Sequence, residues 1–328
     1  MSDDTRDSDK EAGVEVNDMK GAESEQMSSP YSGEQHCGLV AIVGRPNVGK
    51  STLMNHLLGQ KVSITSRKPQ TTRHRIHGIL TEGDYQVVFA DTPGIHRDGG
   101  RALNSYMNQA AVSSLSGVDI VCFMVDGLKW TEADEYVLSL LPKDETPVLL
   151  LINKVDTLED KTQLLPHIER LNAMRRFDAV VPLAALREDG FDALQKELRA
   201  HLPKGKFWFD EDQITDRSLR FMVAEIIREK VVRQMGQEVP HQVAVEIEMW
   251  QDSERLTDIS ASILVERAGQ KSMVIGDKGE RIKKIGTQAR EDIERLIDRK
   301  VMLNLWVKVK TGWSDNDRAL RSLGYGDL

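Results

Sequence analysis

The segment from Gly44 to Ser51 restricts the possible folds of this chain more than any other feature. It reads GRPNVGKS, fits the pattern G-x-x-x-x-G-K-[ST], and lies between a short apolar run and an amphipathic helical pattern. Glycines in this setting let backbone N–H groups surround phosphate oxygens at a helix N-terminus. The pattern therefore predicts a phosphate-binding loop, whose nucleotide contacts should come from Gly44, Arg45, Pro46, Asn47, Val48, Gly49, Lys50, Ser51 and Thr52.

A lysine, a hydroxyl and a downstream carboxylate predict a magnesium-dependent phosphate site. Lys50 places a positive charge at the β- and γ-phosphates, and the Ser51 hydroxyl binds Mg²⁺. Asp91 ends the apolar strand pattern YQVVFAD and should hold the same ion through water. The glycine of the Asp-x-x-Gly segment would sense the γ-phosphate through its backbone N–H, so the predicted contacts here are Asp91, Thr92, Pro93 and Gly94.

Residues 61–75, which we call the effector loop, have the composition of a switch segment. They read KVSITSRKPQTTRHR, and one Thr hydroxyl from here should complete the Mg²⁺ shell in the GTP state. We prefer Thr72 to Thr71 for this role. The predicted metal ligands are therefore Ser51, Thr72 and Asp91, and the residues assigned to catalysis are Lys50, Thr72 and Gly94.

The Asn-Lys-x-Asp pattern at Asn153, Lys154 and Asp156 predicts which base is bound. A carboxylate at Asp156 can accept hydrogen bonds from both N1–H and N2–H₂ of guanine, whereas adenine offers an acceptor at N1. ATP would therefore leave unpaired and repelling groups, and the site should select GTP. A later strand pattern ends at Ala184-Ala185, where the Ala185 backbone N–H should reach guanine O6. Ala184 replaces the Ser that GTPases usually have at this position.

Ile95 departs from the pattern of many small GTPases, which carry a Gln directly after the Asp-x-x-Gly glycine. That Gln orients the attacking water, and an Ile side chain cannot form a hydrogen bond. We therefore expect slow intrinsic hydrolysis of GTP to GDP and phosphate. Asn47 matches the residue that holds K⁺ in potassium-activated relatives, so K⁺ is a further candidate cofactor beside GTP, GDP and Mg²⁺.

Charge and apolar patterning divide the chain into four parts. Residues 1–36 hold 10 acidic and 3 basic residues and few apolar ones, which predicts a disordered acidic tail. Residues 37–203 should form an α/β domain, a P-loop GTPase fold with a doubly wound, mostly parallel sheet. Residues 204–216 read as a linker, and residues 217–328 as a second domain. With two cysteines and no apolar run of about 20 residues, we expect a cytoplasmic protein.

The second domain has the element order α-β-β-α-α-β, typical of a type II KH domain of the α+β class. One of its strand patterns alternates strictly, which places Val243, Val245, Ile247 and Met249 on one face. A G-x-x-G sequence lies between the two later helices, where a KH domain clamps about four nucleotides. Residues 271–310 hold 11 basic and 6 acidic residues, so the predicted RNA contacts are Gly276, Asp277, Lys278, Gly279, Arg281, Lys283 and Lys284.

This combination of motifs resembles the Era family of bacterial ribosome-assembly GTPases. The resemblance rests on GRPNVGKST, KPQTTRHRI, DTPGIH, NKVD, ITDRSLRFMVAEIIREK, VIGDKGERIKKIG and LWVKVKTGWSDNDRALRSLGY, and it extends from Gly38 to the C-terminus. The resemblance implies binding to 16S ribosomal RNA near its 3′ end and a role in 30S subunit maturation, and we expect a monomer. It also implies peripheral association with the inner membrane.

Two alternatives stay open at this point. The first is an RNA-binding protein whose nucleotide site is only structural, with negligible turnover, and Ile95 favours this alternative. The other alternative is a nucleotide-switched adaptor that acts on membranes or proteins, with the second domain as a docking module.

Overall fold

Two sheets with helices packed on them make up the computed structural model, which describes residues 33–65, 76–95, 108–109, 111–235 and 243–315. Thr72 and residues 1–32 of the predicted acidic tail lie outside these ranges. Within them, no helix combines the length and the apolar character that crossing a membrane requires.

The first sheet confirms the predicted doubly wound, mostly parallel arrangement. Its strands lie in the order β2-β3-β1-β4-β5-β6, and every neighbouring pair is parallel except β2–β3. The strands are β1 (His36–Val43), β2 (Ile76–Glu82), β3 (Tyr85–Asp91), β4 (Ile120–Asp126), β5 (Val148–Asn153) and β6 (Ala179–Pro182). Helices α1 (Lys50–Leu57), α2 (Glu132–Leu140), α3 (Leu164–Met174) and α4 (Phe191–His201) accompany them.

Alternate residues of each central strand enter two hydrophobic cores, one on each face of the first sheet. In β1, Val40 and Ile42 belong to one core, and Ala41 and Val43 belong to the other. Burial on both faces explains why these strands read as almost continuous apolar runs. The segments that follow β1, β3 and β5 consequently meet at one edge of the sheet, where doubly wound folds bind ligands.

The predicted linker, residues 204–216, runs along the first sheet. The Gln86 side chain in β3 accepts hydrogen bonds from the backbone N–H groups of Trp208 (2.9 Å) and Phe209 (3.1 Å). Further along, the Ile79 N–H of β2 donates to the Ile214 carbonyl at 2.9 Å. The linker is therefore fixed to the strands by hydrogen bonds, while its boundaries stay predictions.

The second sheet confirms the predicted KH order. It contains β7 (Val243–Asp252), β8 (Thr257–Val265) and β9 (Val301–Val309) in that sequence, with β7–β8 antiparallel and β8–β9 parallel. Its helices are α5 (Leu219–Gln234), α6 (Ala268–Ile275) and α7 (Glu280–Ile297), and a 3-10 turn, Asp277–Gly279, joins the last two.

The prediction that Met249 shares a face with the core residues of β7 is wrong. A β-bulge shifts the register between Ile247 and Met249. An extra residue on one strand of a pair reverses the alternation beyond it. Met249 is therefore exposed, and Trp250 packs against the core of the second domain.

Candidate functional site

The phosphate loop joins β1 to α1, and its backbone requires two of its glycines. Gly44 and Gly49 have φ angles of 155° and 116°, which L side chains rarely adopt. A Cβ on Gly44 would lie 2.4 Å from the Met124 carbonyl oxygen, and one on Gly49 would lie 2.2 Å from Asn153 Nδ2. The loop therefore packs closely against the ends of β4 and β5.

Lys50, the first residue of α1, points back into the phosphate loop. Its Nζ donates to the carbonyl oxygens of Gly44 (3.0 Å) and Arg45 (3.1 Å), and its side chain is buried. Burial lowers the pKa of Lys50 to about 8, although the nearby Asp91 carboxylate favours the charged form. A phosphate bound in the loop would place negative charge directly beside this ammonium group, which here donates to neutral carbonyl oxygens.

Three polar side chains meet where the magnesium ion was predicted. The Ser51 and Ser63 hydroxyls both donate to Oδ2 of Asp91, at 2.7 Å and 2.6 Å. A hydroxyl and a carboxylate are hard oxygen ligands that suit Mg²⁺, which keeps several waters and substrate phosphates as its other ligands. The residues fit the ion in that mode. In the described part of the chain, no cluster of three or more His, Cys, Asp or Glu side chains forms a metal site of protein ligands alone.

The segment after β3 touches the phosphate loop through a glycine. A Cβ on Gly94 would lie 2.8 Å from the Cα of Pro46, so a larger residue would push the two segments apart. Thr92, two residues earlier, donates its hydroxyl to the Ile42 carbonyl at 2.8 Å. Ile95 is 1% exposed and belongs to the same core as Ala41. Its side chain is thus a packing group of the protein interior.

Asn153 connects the phosphate loop to the loop that should read guanine O6. Its Nδ2 donates to the Val48 carbonyl at 2.7 Å, and its Oδ1 accepts from the Ala185 N–H at 2.9 Å. The N–H predicted to reach guanine O6 is therefore engaged by Asn153 in this structure. The Ala184 N–H donates to the Asp189 carbonyl at 3.0 Å. Backbone hydrogen bonds therefore hold this loop without the hydroxyl that Ala184 lacks.

Lys154 and Asp156 lie on a tight turn after β5. Lys154 has a φ of 64°, and its Nζ donates to the Asn47 carbonyl (3.0 Å) and to Asp126 (2.8 Å). Its side chain therefore bridges the phosphate loop and the end of β4. The Asp156 carboxylate pairs with Arg187, whose Nε lies 3.1 Å away.

The Arg45 side chain is held by carboxylates outside the phosphate loop. Its Nε lies 3.1 Å and 3.0 Å from the two oxygens of Asp134, a fully buried residue in the first turn of α2. Its guanidinium also lies 3.5 Å from Asp126. The predicted nucleotide contact of Arg45 is therefore available through its backbone.

A cluster of charged side chains joins the effector loop to the second domain. We call it the stem cluster, because it holds the residues just before position 66; it consists of Lys61, Thr65, Glu229, Lys230, Arg233 and Asp292. Glu229 is 0% exposed and accepts a hydrogen bond from the Thr65 N–H at 3.0 Å. Arg233 donates to the Thr65 carbonyl at 3.0 Å and pairs with Glu229 at 3.0 Å.

Two lysines complete the stem cluster. Lys61 pairs with Glu229 and lies 2.9 Å from Asp292 on α7, and Lys230 pairs with both carboxylates. Partial burial raises the pKa of Asp292, but hydrogen bonds from Lys230 and Lys61 outweigh it and hold the pKa below its usual range. The cluster therefore contains charges from the effector loop, α5 and α7.

The predicted RNA loop, Gly276–Gly279, has a backbone that favours glycine. Gly276 and Gly279 have φ angles of 75° and 81°, and a Cβ on Gly276 would lie 2.6 Å from Arg281 Cβ. Arg281 itself donates to the Met273 carbonyl and so braces the loop. Lys278 at the tip is exposed and has a φ of 46°.

A groove of about 420 Å³ lies beside this loop, between α7 and β9. Its floor is apolar, with Ile282, Leu303 and Leu305, and its rim is polar, with Lys283 and Arg290. Aromatic bases can lie on an apolar floor while basic side chains meet the backbone. Lys284 is exposed but is not among the groove residues.

Family models match both domains. One, described as a 50S ribosome-binding GTPase, matches residues 39–154, and another, described as a KH domain, matches residues 238–314. GTPase Era of Marinobacter nauticus is 56% identical over 302 residues, which cover 92% of this chain and 99% of that protein. The chain belongs to the Era family of GTPases.

Comparisons with other members of the Era family give the same assignment. GTPase Era of Pseudomonas aeruginosa is 58% identical over 292 residues, covering 89% of this chain and 96% of that protein. A crystal structure of Era in complex with MgGDPNP and nucleotides 1506-1542 of 16S ribosomal RNA has a TM-score of 0.85 and 38% identity. It covers 89% of this chain and 99% of that one. The predicted GTPase activity and fold are thereby confirmed.

Proposed function

We propose that this GTPase is a switch that binds the 3′ end of 16S ribosomal RNA and assists assembly of the 30S subunit. The observation that carries the proposal is its likeness along nearly the whole chain to an Era that was solved with MgGDPNP and 16S nucleotides. The two sites described above supply the chemistry. The adaptor alternative gains no support from any specific observation.

In the nucleotide site, the phosphate loop holds GTP and Asp156 reads its guanine edge. Ser51 and Asp91 bind Mg²⁺, and Thr72 is the proposed third ligand. The ion supplies charge that neutralises the β- and γ-phosphates. Lys50 adds a second positive charge there, and the Gly94 N–H senses the γ-phosphate; donors aimed at developing charge stabilise the transition state of phosphoryl transfer.

In the RNA site, a single strand lies along the groove between α7 and β9. Gly276 and Gly279 let the backbone approach the phosphates closely, and Lys278 and Lys283 contribute positive charge. Asp277 is exposed in the same loop and opposes phosphate binding. The apolar floor gives the bases a surface of hydrophobic side chains on which to pack.

The stem cluster is the proposed link between the two sites. Thr65 ends the described stem of the effector loop and hydrogen-bonds to Glu229, so a change in that loop on GTP binding would act on this contact. Asp292 is the member of the cluster that lies on α7. That helix begins at the RNA loop, about 20 Å from Asp292 along the helix axis. GTP and GDP would thus favour different arrangements of one charged cluster.

Water is the remaining reactant, and Ile95 cannot position it because its side chain is buried in the core. We propose that backbone groups, a K⁺ ion near Asn47 or a ribosomal partner supplies the missing stabilisation. Intrinsic turnover would then be slow and would accelerate on the 30S particle.

Crosslinking to ribosomal RNA followed by sequencing tests the proposal. With a GTP analogue, we expect crosslinks at the 3′ end of 16S RNA, and with GDP we expect fewer. A Gly276→Asp, Gly279→Asp double variant serves as the matched control and should lose them. Crosslinks spread over the whole RNA, or independent of nucleotide in the parent protein, would contradict the proposal. Phosphate release measured with and without 30S particles tests the turnover.

Three further expectations are a monomer, a cytoplasmic location and peripheral association with the inner membrane, the last of which rests on the family resemblance. Sedimentation of the purified protein tests the first. Flotation with anionic vesicles tests the last, and protein that stays with the dense fraction would contradict it.

A further inference from the structure

Arg187 forms an ion pair with the carboxylate that should read guanine. Its Nε lies 3.1 Å from Oδ2 of Asp156. The two side chains differ in exposure, since Arg187 is 70% exposed and Asp156 is 18% exposed. An exposed guanidinium group is therefore paired with a largely enclosed carboxylate.

The backbone fixes both partners of this pair. The Arg187 N–H donates to the Ala184 carbonyl at 2.9 Å, which closes a tight turn directly after the Ala185 amide. Asp156 lies in the 3-10 turn Val155–Thr157, and the Val155 N–H donates to the Leu183 carbonyl at 3.3 Å. The pair thus connects the two loops that form the base pocket.

Guanine and Arg187 need the same acceptor atoms. The N1–H and N2–H₂ groups of guanine require both oxygens of the Asp156 carboxylate, and the Arg187 Nε already lies 3.1 Å from one of them. A guanine N–H that approaches Oδ2 meets the positive guanidinium group beside that oxygen, and the two positively polarised groups repel each other. Entry of the base is therefore favoured when the pair is open.

We propose that Arg187 is a built-in competitor for the guanine edge and lowers the affinity of this GTPase for GTP and GDP. The inference rests on the proposed role of Asp156 as the guanine acceptor. Molecules with an open pair bind best, so the pair lowers the apparent affinity. An exposed ion pair is weak, and its removal should raise the affinity about two- to fivefold.

The competition acts on the free protein, which predicts its kinetic signature. Arg187→Ala and Arg187→Gln should bind a fluorescent GDP faster by the same two- to fivefold factor, with an unchanged dissociation rate constant. Both variants should behave alike because both lose the charge, although Gln keeps much of the side-chain length. Rising ionic strength should bring the parent protein toward the variants, since salt screens exposed pairs.

Stopped-flow association and displacement of fluorescent GDP give both rate constants. Arg176→Ala, which removes another exposed arginine of the same domain, is the control and should match the parent. Equal or lower GDP affinity in the Arg187 variants would overturn the proposal, as would a gain that arises from slower dissociation. Parent protein that binds ADP as well as GDP would instead refute the guanine role of Asp156, so the two failures are distinguishable.

Discussion

Glu229 of the KH domain accepts a hydrogen bond from the backbone N–H of Thr65, the last described residue before the central part of the effector loop. The contact joins residues that lie 164 positions apart in the chain. Because Glu229 is buried and Arg233 binds the Thr65 carbonyl, the stem of the loop is held on both its donor and its acceptor side.

Replacing this carboxylate by its amide should weaken the coupling of RNA binding to nucleotide. Glu229→Gln keeps an acceptor for Thr65 but leaves Lys61 and Lys230 without one of their two partners. Breaking a buried pair costs about 3–5 kcal/mol. We therefore expect the free energy of unfolding to decrease by an amount near the lower end of that range.

In the folded Glu229→Gln protein, the ratio of RNA affinities with GTP analogue and GDP should move toward one. Fluorescence anisotropy with a short 16S 3′-end RNA measures that ratio. Glu291→Gln, which changes an exposed carboxylate on the same helix as Asp292, should retain the parental ratio. A Glu229→Gln protein with the full parental ratio would show that the coupling takes another route.

Placing a glutamine directly after the Asp-x-x-Gly glycine should not produce fast hydrolysis. Ile95 is a core residue, so Ile95→Gln would bury an amide among apolar side chains. An unpaired buried polar group costs about 1–3 kcal/mol. We expect a lower melting temperature and an unchanged or reduced kcat. Faster phosphate release at unchanged stability would mean that the glutamine reaches the water after all.

Removing the negative charge from the RNA loop should strengthen RNA binding. Asp277→Asn is expected to raise the affinity for single-stranded 16S RNA by about two- to fivefold at low salt, because one repulsive charge near a phosphate is lost. Lys283→Ala should weaken binding and reduce the slope of log K against log salt by about 0.7. Glu254→Gln, an exposed change in the β7–β8 turn, is the matched control. Equal affinity of Asp277→Asn and the parent would place the phosphates away from this loop.

Nucleotide binding should be accompanied by proton uptake at Lys50. Its pKa is about 8 in the free protein, and phosphate oxygens would raise it because they favour the charged form. Binding therefore takes up about half a proton at pH 8 and about a tenth at pH 7. Affinity should consequently decline as the pH rises above 8. Calorimetry of GDP binding in two buffers of different ionisation enthalpy measures the uptake, and a value near zero at pH 8 would exclude the shifted lysine.

Exchange of monovalent cations tests the proposed role of Asn47. If K⁺ stabilises the transition state near this residue, replacing K⁺ by Na⁺ should lower kcat by at least about tenfold, of the order of one kcal/mol or more. Asn47→Ala should be slow in both salts. The same kcat in K⁺ and Na⁺ for the parent protein would eliminate the ion from the mechanism.

Residues whose chemistry is carried by contiguous patterns could be predicted from the sequence. Lys50, Asp91 and Asp156 belong to such patterns, because a phosphate loop or a base-reading turn is built from neighbours in the chain. The central strands could also be predicted, since burial on both faces leaves an apolar run that is easily recognised.

Residues that act through distant contacts could not be predicted in this way. Ser63 reaches Asp91 across 28 positions, and nothing in its neighbourhood marks it among the other hydroxyls of the effector loop. Glu229 is a charged residue within a helical pattern, and the pattern alone indicates a solvent-exposed side chain. The β-bulge that exposes Met249 likewise depends on pairing with β8, which strict alternation in one strand does not reveal.

The stem cluster has a consequence for how freely the two domains can be exchanged. A KH domain transplanted from a protein without Glu229, Arg233 and Asp292 would leave Lys61 and the Thr65 amide without acceptors. A functional chimaera must therefore carry residues 61–65 together with α5 and α7 from the same parent. The unit that can be exchanged as a whole thus extends beyond the second domain, since it includes residues 61–65 of the GTPase domain, which hydrogen-bond to the RNA-binding half.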